Sequence, residues 1–397
     1  MNVDVLIIGG GIAGLWLLAE LRANGVDAWL ATDELGKGQT IASQGIIHGG
    51  TKYSLTGKLS GATLAIGDMP RLWREALRGE GAVDLHQARV LTESQLLWTS
   101  GGIGSRLTGF FASHAMQSRM DAVAKADYPA LFQRPAFHGG LYRLDEPVLD
   151  IPSVLQTLRE QWAERLVCVD VTQSHLRLRA GQYDYAACLP DGTRCDITAQ
   201  QIVLTAGAGN AGLLTCMGKD APTMQRRPLQ MVLARGDLPP LYAHALGMSD
   251  KPRVTITTHN DATGKTVWYI GGQPAEQGVG KSPADVIAAT RRELQDLLPW
   301  MDFSSIEWAT WNVDRAEARQ ADGSRPDQPM IFQQQNVTVA WPTKLAFAPL
   351  LARQVQTRLG LTKLVTNAVT NDGQKRVAAC VPPIALAVWQ QVAWSQL

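Results

Sequence analysis

Gly9, Gly11 and Gly14 follow the apolar run Val5 to Ile8. That spacing suits one task above others, which is holding a dinucleotide pyrophosphate. Gly9 permits a tight turn, Gly11 lets the backbone approach the phosphates, and Gly14 lets the next helix lie close to the strand. The first N–H groups of that helix, with their partial positive charge, then face the anion. A second stretch, Gly36 to Tyr53, carries Lys37, Thr40, Ser43, Gln44, His48 and Tyr53 among further glycines. It is too polar to be core and too long to be a plain turn, so it reads as a ligand-contacting loop.

These side chains need elements to position them. Ile12, Leu15, Leu18, Ala19 and Ala23 share one face at helical spacing, and Asn24-Gly25 stops that helix. Ala28 to Ala31 reads as the second strand. An acidic residue should end this strand and bind the ribose hydroxyls. Thr32 aligns best, and either it or Asp33, shifted by one residue, takes the role. No Arg stands beside them, which disfavours a 2′-phosphate. Gln201 to Leu204 is another apolar strand, and it ends in Thr205-Ala206-Gly207-Ala208-Gly209. Small residues there admit a flat or charged group, or simply a tight turn.

Helices are expected over Gly57 to Arg78 and Leu149 to Glu164, a strand over Leu166 to Val171, and loop with helix over Gly101 to Ala130. The middle third alternates. Leu229 to Arg235, Val254 to Thr258, Val267 to Ile270 and Ile306 to Val313 read as strands, and Asp285 to Leu298 as an amphipathic helix. The expected class is α/β: a Rossmann-like nucleotide domain with an interleaved α+β substrate domain containing an antiparallel sheet. The nucleotide domain takes 1–75, 140–220 and 315–397, and the substrate domain 76–139 and 221–314.

Composition narrows the classes. The 397 residues are 45% hydrophobic and 18% charged, so the chain folds. Thirty-seven basic against 36 acidic residues leave no nucleic-acid footprint. Five cysteines without a CxxC pair point to a reduced compartment, taken as cytoplasmic, and to no metal site. The N-terminus has a strand's length and carries Asp4, unlike a signal peptide. No apolar run reaches the roughly 20 residues of a membrane span. Ile384 to Leu397 reads as a docked terminal helix or a peripheral membrane contact.

Further segments carry a resemblance: His48-Gly49-Gly50-Thr51-Lys52-Tyr53, Gln39-Thr40 with Ser43, Leu149-Asp150-Ile151-Pro152, Thr205-Ala206-Gly207, Tyr269-Ile270-Gly271-Gly272, Asp314-Arg315-Ala316-Glu317 and Thr343-Lys344-Leu345-Ala346. Nearly end to end, the chain resembles the FAD-dependent D-amino-acid-oxidase (DAO) superfamily. It is most similar to the glycerol-3-phosphate dehydrogenase and L-2-hydroxyglutarate dehydrogenase group. The resemblance implies FAD. Gly9, Gly11 and Gly14 would take the pyrophosphate, Thr32 or Asp33 the ribose, and Thr40, Ser43, Gln44 and Gly45 the flavin side. Val171 would hold adenine through its backbone, with Ala206 and Gly207 beside the phosphates. The last flavin loop, normally glycine-rich, is here Trp341-Pro342-Thr343-Lys344-Leu345, where Lys344 would place a charge near the flavin and Leu345 line it. Non-covalent FAD is expected, because Ile46-Ile47 precede His48 where histidine-linked relatives have Thr-Trp.

A flavin that accepts hydride needs the donor C–H held over its ring. For a 2-hydroxy acid or polyol phosphate, a cation must hold the anionic end and a base must take the hydroxyl proton. Arg315 suits the first as a fork for carboxylate. His48 suits the second, with an ordinary pKa of about 6.5. Tyr53, Tyr269 and Lys344 are further substrate contacts, His244 and His259 are reserve bases, and Arg226-Arg227 reads as a solvated turn. Three alternatives stay open: amine oxidation of a glycine- or sarcosine-like substrate, a nicotinamide dehydrogenase, and a flavoprotein subunit acting with a partner. The electron acceptor is oxygen, a quinone or a protein.

Overall fold

The computed structural model describes residues 1–49, 66–99, 120–218, 222–247, 252–360 and 380–396. Its labelled strands are β1 (Asn2–Ile8), β2 (Ala28–Thr32), β3 (Leu166–Cys168), β4 (Arg194–Leu204), β5 (Met224–Gly236), β6 (Val254–Asn260), β7 (Thr266–Gly272), β8 (Glu307–Ala318) and β9 (Val337–Trp341). The labelled helices are α1 (Ile12–Ala23), α2 (Met69–Leu77), α3 (Ile151–Trp162), α4 (Pro283–Leu297) and α5 (Ala348–Leu359).

The first sheet runs in the order β9-β4-β1-β2-β3, all parallel. An antiparallel strand, Met330–Gln334, lies outside β9, and the strands Gln182–Cys188 and His175–Arg179 extend from β4. β1 sits at its centre, and Val3 to Ile8 are buried. Burial on both faces is why this strand reads as a continuous apolar run rather than an alternating one. On one face α1 packs against α5 and α3. Trp16 of α1 and Trp73 of α2 meet at 4.6 Å between ring centroids, and the Trp73 indole N–H donates to Ala346 O at 3.0 Å. α3 starts where Asp150 caps it: its carboxylate accepts the Ser153 N–H, and Pro152 sits in the first turn.

Among the described residues the second sheet has nine strands and is mainly antiparallel, with β8-β5-β7-β6 at its heart. α4 covers one face, where Trp268, Trp308, Phe303 and Leu294 form a core. The other face carries Leu229, Met231, Trp311 and Val313 toward the nucleotide domain.

The division of the chain differs from the expected boundaries in two places. Leu141–Leu144 pairs with Gln95–Trp98 in the second sheet, and β8 runs unbroken through residue 315. In the expected loop-and-helix segment, Met120–Ala122 is a strand, and residues 100–119 lie outside the described ones. The C-terminus is not a docked helix. It makes one helical turn, Val388–Gln391, and then an edge strand, Ser395–Gln396, on β8. Trp394 covers the Arg235 guanidinium at 4.3 Å, so the indole is used in packing there. Among the described residues no helix is long and apolar enough to cross a membrane.

Candidate active site

A cavity of about 1150 Å³ opens at the C-terminal ends of β1 and β2 and continues beneath the second sheet. That is the crevice in which open α/β sheets bind ligands. The glycine turn forms its floor. Gly9 has φ +120, and a Cβ there would stand 2.5 Å from Ala206 N. A Cβ on Gly14 would stand 2.2 Å from Gly9 O, so Gly14 serves the contact between helix and strand and does not line the cavity. α1 begins at Gly11 with no side-chain cap from Gly11 and no acid in its first turn. Its N-terminus is therefore open to an anion. One of its donors, the Ile12 N–H, is held by Thr40 Oγ1 at 3.1 Å.

At one end of the cavity, Thr32 and Asp33 both line the wall. Thr32 is buried, and its hydroxyl donates to Glu34 O at 3.2 Å. Asp33 accepts the Glu34 N–H at 2.9 Å and Lys37 Nζ at 2.6 Å. Lone pairs remain on the Asp33 carboxylate for a ribose. Val171 is half-exposed beside them. Ala206 and Gly207 stand across from the glycine turn. The Ala206 N–H goes to Asn210 Oδ1 at 2.9 Å, and Gly207 takes φ +56.

At the other end, β5 and β8 bring Arg227 and Arg315 directly opposite each other. Both line the cavity. Arg315 Nε donates to Arg227 O at 3.1 Å. Arg227 lies 3.4 Å from Glu317, which is fully buried. Among the described residues Arg315 makes no ion pair. Burial, and then the neighbouring Arg227 charge, hold its guanidinium below the ordinary arginine range. Like charges placed opposite each other across a sheet are unfavourable, and the carboxylates of Glu276 and Glu317 offset only part of that repulsion at Arg315.

His48 lines the same cavity. Its Nδ1 lies 3.1 Å from Glu146 Oε2, and the Gly49 N–H donates to Glu146 Oε1 at 2.9 Å. His244 stacks near it, with ring centroids 6.0 Å apart, and its Nδ1 lies 2.8 Å from Thr255 Oγ1. The cysteine pattern pointed to no metal site, but the side chains of His48, Glu146 and His244 converge, with their ligand atoms within 4.8 Å of one another.

The FAD dependent oxidoreductase (DAO) family profile matches residues 4–355. The chain belongs to this family. The DAO-family chain is 47% identical over 362 residues to the probable FAD-dependent oxidoreductase PA4991 of Pseudomonas aeruginosa, covering 90% of this chain and 91% of that one. The PA4991 crystal structure superposes with a TM-score of 0.82 over 98% of both chains, at 39% identity. Glycine oxidase from Geobacillus kaustophilus (TM-score 0.65, 16% identity, 93% and 97% covered) shares the fold. So does L-alpha-glycerophosphate oxidase from Mycoplasma pneumoniae with FAD bound (0.66, 14%, 92% and 97%).

The residues present fit FAD. A glycine cradle with no room for a Cβ, an open helix N-terminus, an acid at the end of β2 and one continuous cavity are what a dinucleotide requires. Within the oxidoreductase several expected contacts fall elsewhere. Gly45, at φ +71, does not line the cavity; a Cβ there would stand 2.1 Å from Leu149 O, so this glycine allows two backbone segments to meet. Thr40 and Ser43 line the cavity, but Ser43 Oγ donates to Thr40 O at 2.8 Å, so this hydroxyl stabilises the loop itself. Gln44 lines the cavity and ties the loop to the second sheet, donating to Thr255 O at 3.1 Å and Tyr269 O at 2.8 Å.

Tyr269 is not a substrate contact. It is fully buried, its hydroxyl donates to Ala42 O at 2.9 Å, and burial pushes its phenol far above the ordinary value. Tyr53 lies outside the described residues. Lys344 and Leu345 do line the cavity. Lys344 Nζ sits 5.2 Å above the Phe347 ring, and Thr343 takes φ +54. Arg226 is a solvated partner of Asp314, whereas Arg227 faces the cavity and corrects the reading of both as a turn. Glu146 was missed altogether. Its only local sign was an acidic pair, Asp145-Glu146, between Leu144 and Pro147-Val148-Leu149.

His259 is no reserve base. It is buried and stacks on Trp389 at 4.2 Å, and burial holds its pKa near about 3. The unfolded chain takes up this proton below about pH 6.5, so the neutral ring's contribution is complete above that pH and is lost as the pH falls toward about 3. His259→Gln removes this dependence. Between about pH 7 and about pH 5 the wild type should lose roughly 2 kcal/mol more than the variant in urea unfolding. Parallel curves would refute this.

Proposed function

We propose that this FAD-dependent oxidoreductase removes a hydride from a small anionic hydroxy compound, a 2-hydroxy acid or a polyol phosphate. The observation that carries the reading is the Arg227–Arg315 pair in the cavity that also holds the glycine turn. Bound FAD supplies the hydride acceptor. Gly9, Gly10 and Gly11 and the start of α1 hold its pyrophosphate, and Asp33, aided by Lys37, meets the ribose. Arg315 binds the substrate's anionic end as a fork and fixes its orientation. Leu229, Met231, Trp311 and Val313 exclude water at that end. His48 accepts the hydroxyl proton as the substrate's C–H bond gives up its hydride and the carbonyl forms.

A panel of 2-hydroxy acids, glycerol 3-phosphate and N-methyl amino acids, mixed anaerobically with the enzyme, tests this by flavin bleaching. A hydroxy compound should bleach, and His48→Gln should slow that step by about 10²–10⁴-fold. Bleaching by amines alone, with His48→Gln at full rate, would replace alcohol oxidation with amine oxidation. An amine can lose its proton to solvent and needs no dedicated base. Adding oxygen or a quinone to the bleached enzyme then identifies the acceptor.

A further inference from the structure

We propose that Glu146 is a positioning residue that accepts the Nδ1–H of His48 and thereby presents Nε2 as the proton acceptor in the cavity. The inference deepens the reading of His48 as the base and rests on it.

The backbone brings the two together. Leu149 N–H donates to Gly45 O at 2.9 Å, and Ile47 N–H donates to Pro147 O at 2.9 Å. Ile46 and Val148 form an antiparallel bridge. Continuing these rungs brings His48 and Gly49 opposite Glu146, although 98 residues separate His48 from Glu146 in sequence. Glu146 N–H donates to Leu144 O at 2.8 Å, which turns the chain just before Pro147.

The carboxylate is pinned by a group that can only donate. The Gly49 N–H is fixed by the backbone, so Glu146 Oε1 must accept. Oε2 is left facing His48 Nδ1 at 3.1 Å. With Glu146 ionised, both carboxylate oxygens only accept, and this geometry places the imidazole proton on Nδ1. Glu146 is 1% exposed, while the His48 side chain is 19% exposed toward the cavity. Among the described residues the carboxylate is thus withdrawn from the cavity, and the imidazole lines it. His244 limits the imidazole's movement on one side by stacking, and is itself held by Thr255.

Glutamine tells whether this geometry is used. A carboxamide has one oxygen. If the Gly49 N–H keeps that oxygen, the amide NH₂ faces Nδ1 and forces the proton onto Nε2. The wrong tautomer then faces substrate, the same defect that an Asp→Asn change produces in the serine-protease triad.

The test is ¹⁵N NMR of the FAD-loaded enzyme labelled in histidine, with His48 assigned by its loss in His48→Gln. It is recorded near pH 9, well above the ordinary imidazole pKa of about 6.5. His48 should be the Nδ1–H tautomer in the wild type and the Nε2–H tautomer in Glu146→Gln. A wild-type His48 protonated on Nε2 overturns the proposal, and this reading is made on the wild-type enzyme, with His48→Gln needed for the assignment alone. Retention of Nδ1–H in Glu146→Gln overturns it as well. One-to-one zinc retention in equilibrium dialysis, abolished by Glu146→Gln, would make the trio a metal site and also overturn it. If the tautomers are as expected but His48→Gln reduces flavin at full rate, positioning stands and the base assignment alone falls.

Discussion

Gly9→Ala is expected to yield a colourless and strongly destabilised protein. Two costs fall on one methyl group. The residue takes φ +120, a region that L side chains enter at about 1–3 kcal/mol. The added Cβ would also stand 2.5 Å from Ala206 N, 2.6 Å from Ala206 Cα and 2.6 Å from Thr205 C. All three atoms are backbone of the loop that leaves β4, so no rotamer change relieves the contact. Overpacking of this kind costs about 1–3 kcal/mol more. The sum, roughly 2–6 kcal/mol, is a large part of an ordinary domain's stability of about 5–15 kcal/mol. Pushing β4's loop away also opens the pyrophosphate cradle, and lost FAD binding removes the stabilisation that the ligand supplies. Flavin-to-protein absorbance and the urea midpoint measure both effects. Gly25→Ala is the control. Gly25 has φ +78 with nothing within 4 Å of the new Cβ, so strain acts there without collision. It should cost about 1 kcal/mol and leave the protein yellow. A yellow Gly9→Ala protein of wild-type stability would remove the glycine turn from the cofactor site.

What the sequence made legible was local. β1, its turn, α1 and β2 follow from an apolar run, a glycine spacing and a 3.6-residue period that lie within a few residues of one another. The strands of the middle third were legible for the same reason. What stayed hidden depends on pairing between distant segments. Arg227 and Arg315 meet only because β5 and β8 pair in one register, and a slip of one residue would send their side chains to opposite faces. Glu146 reaches His48 through a ladder between separate loops. Tyr269 misled because Val267 to Ile270 are all buried. A strand covered on both faces shows no alternation from which an inward residue could be told from a cavity-facing one. The last flavin loop is a different case. Thr343 adopts the φ +54 that a glycine would favour, so the glycine-like backbone persists although the glycine-rich sequence does not.

Arg315→Met is expected to keep its flavin and to lose kcat/KM for anionic substrates by about 30- to 3000-fold, the equivalent of roughly 2–5 kcal/mol for truncating one partner of a desolvated charge pair. Arg315 is the cleaner of the two cations to remove. Arg227 lies beside the fully buried Glu317, so replacing Arg227 would strand a buried carboxylate and cost about 3–5 kcal/mol of stability. Arg315 makes no such pair among the described residues, and burial with the Arg227 charge outweighs the attraction of Glu276 and Glu317, so its charge is disfavoured on balance. Removing it relieves a repulsion, so the fold should hold or gain slightly while binding fails. Its Nε is held by Arg227 O at 3.1 Å, which leaves the remaining guanidinium N–H groups to grip an anion. Arg315→Lys should fall between wild type and Arg315→Met, because an ammonium supplies the charge without the planar fork. The decisive comparison is between a 2-hydroxy acid and its uncharged alcohol analogue. The wild type should discriminate strongly and Arg315→Met hardly at all, with the loss confined to the acid. An equal loss on both compounds would mean that Arg315 shapes the cavity instead of reading the anion, and the proposed substrate class would fall with it.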